Sequence, residues 1–209
     1  MGQCRRTATS RSNGGQSPAP RAAAFAETVD GQTYLLGVID PPSAVDALAP
    51  TLPRELVFLL DVSGSMHGLS LAQAKRALLR GLARLGPLDR FNVVAFNHEA
   101  RPLFRGAVPA DAANLDRARA FVDRLAADGG TEIAGALGLA LDGAVDPARL
   151  RQIVLLTDGA VGNEAALFRM IGAGLGDSRL FTVGIGSAPT GYLMRKAAAF
   201  GRGAFTLIG

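Results

Sequence analysis

A chain of 209 residues with 48% apolar content can form one domain that buries roughly 70% of the surface its unfolded form exposes. Four of the 22 basic residues, Arg5, Arg6, Arg11 and Arg21, precede the first acidic residue, Glu27, and the other 18 are matched by 18 acidic ones, so the net charge of +4 belongs to a Ser-, Gly-, Pro- and Arg-rich leader and gives no argument for nucleic acid binding. Cys4 is the only cysteine, which excludes an intrachain disulfide; no apolar run approaches the ~20 residues of a membrane span, and no apolar stretch follows the basic N-terminus as an export signal requires.

Residues 1–24 are predicted to be a disordered basic leader. Met1-Gly2-Gln3-Cys4 does not extend into an acylation motif, because residue six is Arg where Ser or Thr is needed. Residues 25–52 read as one strand and a connection, compatible with the remnant of an upstream domain: Thr33-Tyr34-Leu35-Leu36-Gly37-Val38-Ile39 carries strand formers and stops at Asp40-Pro41-Pro42.

The rest of the chain, 53–209, alternates. Apolar runs of strand length at 55–60, 91–96, 152–157, 179–185 and 204–208 are separated by helical periodicity, the pattern of parallel strands joined by crossover helices. The first helix is the clearest, with Leu71, Ala74, Leu78, Leu82 and Leu85 on one face and Lys75, Arg76, Arg80 and Arg84 on the other, ending at Gly86-Pro87. Residues 103–108 follow the second strand too closely for a helical crossover and are predicted to be an antiparallel edge partner. Asn114 is the expected cap of the next helix, and further helices are expected over 133–145, 164–175 and 191–200. The fold class is therefore α/β, a doubly wound, mostly parallel sheet with one short antiparallel edge strand.

The chemistry concentrates where apolar strands end. Asp61-Val62-Ser63-Gly64-Ser65 follows 55–60 directly and offers one carboxylate and two hydroxyls around a turn. Gly129-Gly130-Thr131-Glu132 opens a helix with a hydroxyl, and Leu155-Leu156-Thr157-Asp158-Gly159 ends another strand with a carboxylate. Ligands of open parallel α/β sheets bind at the carboxyl ends of the strands, which is where Asp61 and Asp158 fall. Two carboxylates and three hydroxyls suit a hard cation such as magnesium, which prefers oxygen and keeps several waters.

Each residue also has an ordinary structural use. Ser63, Ser65 and Thr131 could cap helices, Glu132 suits a first helical turn, His67 and His98 read as exposed loop residues, and Asn163 with Glu164 reads as a helix start. Catalytic readings find little support. Glycines are missing from the positions two before and two after a serine that a hydrolase elbow needs, and neither a phosphate loop nor a dinucleotide fingerprint is present. Metal-activated hydrolysis would have only His67 as a nearby base.

Asp61, Ser63, Ser65, Thr131 and Asp158, in this order and context, resemble the metal-ion-dependent adhesion site of von Willebrand factor type A domains. Stretches 89–93, 155–164 and 181–189 are similar to the branch found with inter-alpha-trypsin-inhibitor heavy chains, and within it to bacterial sortase-target surface proteins. The resemblance implies a magnesium or manganese ion at those five residues, capture of a protein ligand through an exposed acidic residue, no catalysis and a place at the cell surface or outside it. In that branch a further domain precedes and an anchor follows, so the chain reads as a fragment. The alternative is an assembly scaffold that binds a subunit of an intracellular ATPase-type complex through the same face.

Overall fold

The computed structural model describes residues 21–29, 31–40, 52–142, 146–159, 164–186 and 191–208, which fall into two compact units, Met1–Thr51 and Leu52–Gly209. The first unit is an antiparallel hairpin of β1 (Arg21–Val29) and β2 (Gln32–Asp40), paired from Val29↔Gln32 to Arg21↔Asp40. Only the second strand was expected. Arg21 to Ala24, assigned by sequence to the leader, lie in β1, because cross-strand pairing supplies what Ala22-Ala23-Ala24 lack in intrinsic strand preference. Asp30-Gly31 between the strands is hairpin-turn chemistry, and Gly31 takes a φ of 80° there.

The second unit holds a seven-stranded sheet and five helices in the described residues. Its strands are β3 (Arg54–Asp61), β4 (Arg90–Phe96), β5 (Ala100–Pro102), β6 (Val108–Pro109), β7 (Leu150–Thr157), β8 (Arg179–Ile185) and β9 (Phe205–Ile208). Its helices are α1 (Leu69–Leu82), α2 (Ala112–Arg124), α3 (Ile133–Leu141), α4 (Glu164–Gly174) and α5 (Gly191–Phe200). The strand order is β5-β4-β3-β7-β8-β9, with β6 also on β4; β3, β4, β7, β8 and β9 run parallel, and β5 and β6 antiparallel.

Central strands read as unbroken apolar runs because both faces are covered. Along β3 the side chains of Leu56, Phe58 and Leu60 enter one core with Leu71, Ala74, Leu78 and Leu82 of α1 and Ala118 and Val122 of α2. Val57 and Leu59 enter the other, with Ile133, Ala136 and Leu137 of α3, Leu167 and Ile171 of α4 and Leu193 of α5. Each buried leucine of the α1 stripe stabilises the packing by about 2 kcal/mol. The chain steps from β3 to β4 on one side and later to β7 on the other, so the order reverses at β3, and the crevice beyond the ends of β3 and β7 is the switch point of the sheet.

Three local expectations are corrected. Residues 103–107, expected as an edge strand, are not strand; the antiparallel edge is two short pieces on either side, β5 and β6, because the buried Asn92 side chain takes the pairing between them: its Oδ1 accepts from Phe104 N at 3.2 Å and its Nδ2 donates to Phe104 O at 2.9 Å. Asp111, not Asn114, caps α2, accepting from the Asn114 N–H at 2.8 Å. Finally, α1 stops at Leu82, where Arg84 N and Leu85 N bond three residues back and tighten the last turn. Of the expected helix at 133–145, residues 143–145 lie outside the described residues, as do Asn163 and the Ser187 to Pro189 part of the stretch compared above. No described helix is long and apolar enough to cross a membrane.

Asp89 ties the amino end of β3 to the turn before β4. Its Oδ1 accepts from Arg54 N at 2.8 Å, and its Oδ2 from Arg54 Nη2 at 2.6 Å and Gly86 N at 2.8 Å. Burial alone would raise its pKa, but these donors outweigh burial and hold the carboxyl below the ordinary value of 3.8. A depressed folded-state pKa gives stability that is complete above the unfolded-state value and is lost as pH falls through the folded-state value. Asp89→Asn should therefore cost about 1–3 kcal/mol in denaturant unfolding at pH 7, with the gap to the parent closing as the pH falls below 3.8. A gap independent of pH would contradict this account of the clamp.

Candidate metal centre

Asp61 ends β3 and is fully buried. Both carboxylate oxygens are engaged: Oδ1 accepts from Ser63 N at 2.8 Å, and Oδ2 accepts from the Thr157 hydroxyl at 2.5 Å. Thr157 is the last residue of β7, also fully buried, and its Oγ1 in turn accepts from Gly159 N at 3.1 Å. One hydroxyl thereby joins the ends of the two strands that flank the switch point. It also anchors the backbone beside Asp158.

After Asp61 the chain makes a single 3-10 turn over Gly64–Met66, held by Met66 N to Ser63 O at 3.0 Å and by the buried Met66 side chain. The turn brings the Ser63 and Ser65 hydroxyls to 3.1 Å from each other. Ser63 is buried and Ser65 exposed, so the pair runs from the interior to the rim. Neither serves as a helix cap: Ser63 makes no capping bond, and the cap position of α1 is Gly68.

Thr131 arrives on a separate segment that backbone bonds hold against this turn. Gly64 N donates to Gly129 O at 2.9 Å and Asp128 N to Val62 O at 2.8 Å, while Val62 N bonds Phe96 O at 2.8 Å. Asn97, just beyond β4, closes the ring: its Nδ2 donates to Asp128 O at 3.0 Å and its carbonyl accepts from Glu132 N at 2.6 Å. Gly129 takes a φ of 73°, which favours glycine, and a Cβ there would displace the exposed His98 side chain, whose Nδ1 would lie 2.5 Å away. Thr131 lies between Gly129 and Glu132, both tethered. Its half-buried side chain makes no hydrogen bond among the described residues, and the cap position of α3 is Glu132, so its hydroxyl is not used in capping.

Asp158 follows directly on β7, half-buried, and its charge acts on Asp61. Burial is the largest influence on Asp61 and raises its pKa above 3.8; hydrogen bonds from Thr157 and Ser63 oppose the shift, and the Asp158 carboxylate adds to it. Among the described residues no Lys, Arg or His pairs with Asp61. A desolvated carboxylate beside a second one and without a cationic side chain is a charge arrangement that a bound cation corrects. The donor types fit a small hard ion: oxygen only, two carboxylates and three hydroxyls; no group of three His, Cys, Asp or Glu is gathered anywhere among the described residues, this site included.

The Ser63 and Ser65 hydroxyls thus meet just beyond Asp61, Asp158 lies close enough for its charge to act on Asp61, and backbone bonds hold the Gly129–Glu132 segment that carries Thr131 against the same turn. Sequence reasoning missed the parts that hold them. Thr157 stood in the Leu-Thr-Asp-Gly run as a polar residue inside an apolar strand end, which was a usable signal. Asn97, Asp128 and the fit of Gly129 under His98 gave none, because they act through backbone contacts between segments distant in sequence.

The raised pKa of Asp61 has a checkable sign. A carboxyl whose folded-state pKa is raised contributes stability that is complete below the unfolded-state value near 3.8 and is lost as pH rises through the folded-state value. In EDTA at pH 7, Asp61→Asn should therefore melt at or above the parent temperature, and that advantage should shrink at acid pH; with manganese the parent should regain the lead. A variant less stable than the parent in EDTA at neutral pH would show that the Asp61 charge is satisfied without a cation.

Comparison with known proteins agrees with this geometry. The chain is 40% identical over 117 residues to human inter-alpha-trypsin inhibitor heavy chain H4, covering 52% of this chain but only 13% of that protein. Among solved structures it is similar to a von Willebrand factor type A protein from Catenulispora acidiphila, with a TM-score of 0.68, 25% identity, and coverage of 92% of this chain and 43% of the other. It shares its fold with proximal thread matrix protein 1 of the mussel byssus, in a structure whose metal-ion-dependent adhesion motif is occupied by zinc, with a TM-score of 0.56, 20% identity, and coverage of 74% of this chain and 41% of the other. Domains of this kind bind a divalent metal at that motif and mediate protein–protein contacts. The family model matches residues 54–206, and the chain belongs to the von Willebrand factor type A domain family.

Proposed function

We propose that this chain is a divalent-metal-dependent protein-binding domain, holding magnesium or manganese through Asp61, Ser63, Ser65, Thr131 and Asp158 and capturing a carboxylate of a protein ligand, without turnover. The observation that carries the reading is the buried carboxylate of Asp61, which no basic side chain pairs among the described residues, beside Asp158 and the joined hydroxyls of Ser63 and Ser65. A bound divalent ion supplies an electrophilic position for one further acidic oxygen.

The chain's own residues do the rest. Ser63, Ser65 and Thr131 are neutral donors, so only Asp61 and Asp158 offset the ion's charge. Thr157 and the Ser63 N–H fix the orientation of the Asp61 carboxylate, as partners behind metal ligands commonly do. The backbone clamp between 62–64 and 128–129 keeps the two hydroxyl-bearing segments at constant separation.

Calorimetric titration of metal-free protein with manganese should show about one site, abolished in the Asp61→Ala, Asp158→Ala double variant. Ser63→Ala and Thr131→Ala should each weaken that binding by about tenfold or more while leaving the circular dichroism spectrum unchanged. A displayed peptide library selected on the protein in manganese should enrich sequences with Asp or Glu that release in EDTA. Peptides retained in EDTA, or enrichment without acidic residues, would overturn the proposal.

A further inference from the structure

At the amino end of the sheet, far along the strands from the metal centre, charge crosses three strands in one row. Glu55 of β3 is in register with Arg90 of β4 and Arg151 of β7, one step below the row Asn92, Val57 and Ile153. Residues in register share a face, so the guanidinium, carboxylate and guanidinium lie side by side on the face that packs against α3 and α4. One carboxylate cannot neutralise two guanidinium groups.

The partners are unequally served. Arg90 donates to the Ala107 carbonyl from Nε at 3.2 Å and from Nη2 at 2.7 Å. Arg151 is the deeper group, with its side chain 8% exposed and its Nε 3.0 Å from Glu55 Oε1. That contact is an ion pair without the alignment of a hydrogen bond, and Arg151 Nε is left as a buried donor with no hydrogen-bond partner. Buried guanidinium donors are ordinarily satisfied.

Arg151 faces a cavity of about 360 Å³, a size typical of small-molecule sites. Exposed Arg105 lines the same cavity, as do Val57, Val94 and Leu139. Of the two other acidic residues on its wall, Asp146 is paired with Arg149 at 3.2 Å, which leaves Asp142. Three guanidinium groups against Glu55 and Asp142 leave a surplus of one positive charge. That balance suits a monoanion better than a dianion.

We infer that this cavity is a second binding site, which takes a small monocarboxylate with its oxygens on Arg151 and Arg105 and its hydrocarbon end against Val94 and Leu139. A carboxylate matches the planar fork of a guanidinium in a way that a chloride ion cannot. The site is independent of the metal centre and of the function proposed for it.

The test uses the full ¹⁵N-labelled chain in EDTA, so that the metal centre takes no part, titrated with sodium butyrate at constant ionic strength. The Arg151 Nε–H signal and the amide signals of Glu55 and Arg90 should shift and saturate with a roughly millimolar Kd. Arg151→Lys should weaken binding by about tenfold through loss of the fork. Should that buried variant fail to fold, Arg105→Gln, on an exposed side chain, is expected to weaken binding about threefold or more with the fold intact. A linear response without saturation, the same response to sodium chloride, or unchanged affinity in Arg105→Gln would overturn the proposal. Tighter binding of inorganic phosphate than of butyrate would overturn the assignment to a carboxylate.

Discussion

The hydrogen bond from the Thr157 hydroxyl to the Asp61 carboxylate, 2.5 Å long and fully buried, is the constraint around which this domain is arranged. It joins the ends of the two central strands, β3 and β7, at the point where the strand order reverses. Around it both faces of the sheet pack into apolar cores. The bond lowers the cost of burying the Asp61 charge without removing it, because a hydroxyl offers a dipole and no countercharge. The fold thus keeps a carboxylate that is oriented but not neutralised, which is the condition a metal ligand must meet.

Charge is therefore arranged differently at the two ends of the strands. The amino ends carry charge of both signs: Asp89 with Arg54, and Glu55 between Arg90 and Arg151. The carboxyl ends carry carboxylates and hydroxyls, with no basic partner for Asp61 among the described residues. Packing of α1 and α2 on one face and of α3, α4 and α5 on the other makes the sheet rigid enough to hold that contrast. The backbone bonds between the Asp61 turn and the Gly129 segment do at the rim what the core does below, fixing two loops that would otherwise move separately.

How much of this could be read in the sequence follows from the range of each interaction. Asp61, Ser63, Ser65, Thr131 and Asp158 were legible because each follows or opens an element with strong periodicity, and polar residues at those junctions are conspicuous. The parallel sheet was legible from unbroken apolar runs separated by amphipathic helices, of which the Leu71 to Leu82 stripe is the clearest. The splitting of the edge strand was not, because it depends on one side chain, Asn92, replacing ladder bonds twelve residues away. Strand β1 was missed because Ala22-Ala23-Ala24 has no strand preference of its own, although Asp30-Gly31 carried the turn signal. The row of Arg90, Glu55 and Arg151 becomes visible only when register is known, since nothing in the separation of these residues along the chain announces it.

The account turns on whether the five oxygen-bearing residues hold one cation, and anomalous diffraction from crystals grown with manganese tests that directly. It predicts a single strong anomalous peak in the crevice beyond β3 and β7, bonded to the Ser63 and Ser65 hydroxyls, with Asp61, Thr131 and Asp158 reached directly or through water. A crystal with manganese at other residues, or with none in that crevice while Asp61 remains buried and ionised, would contradict it.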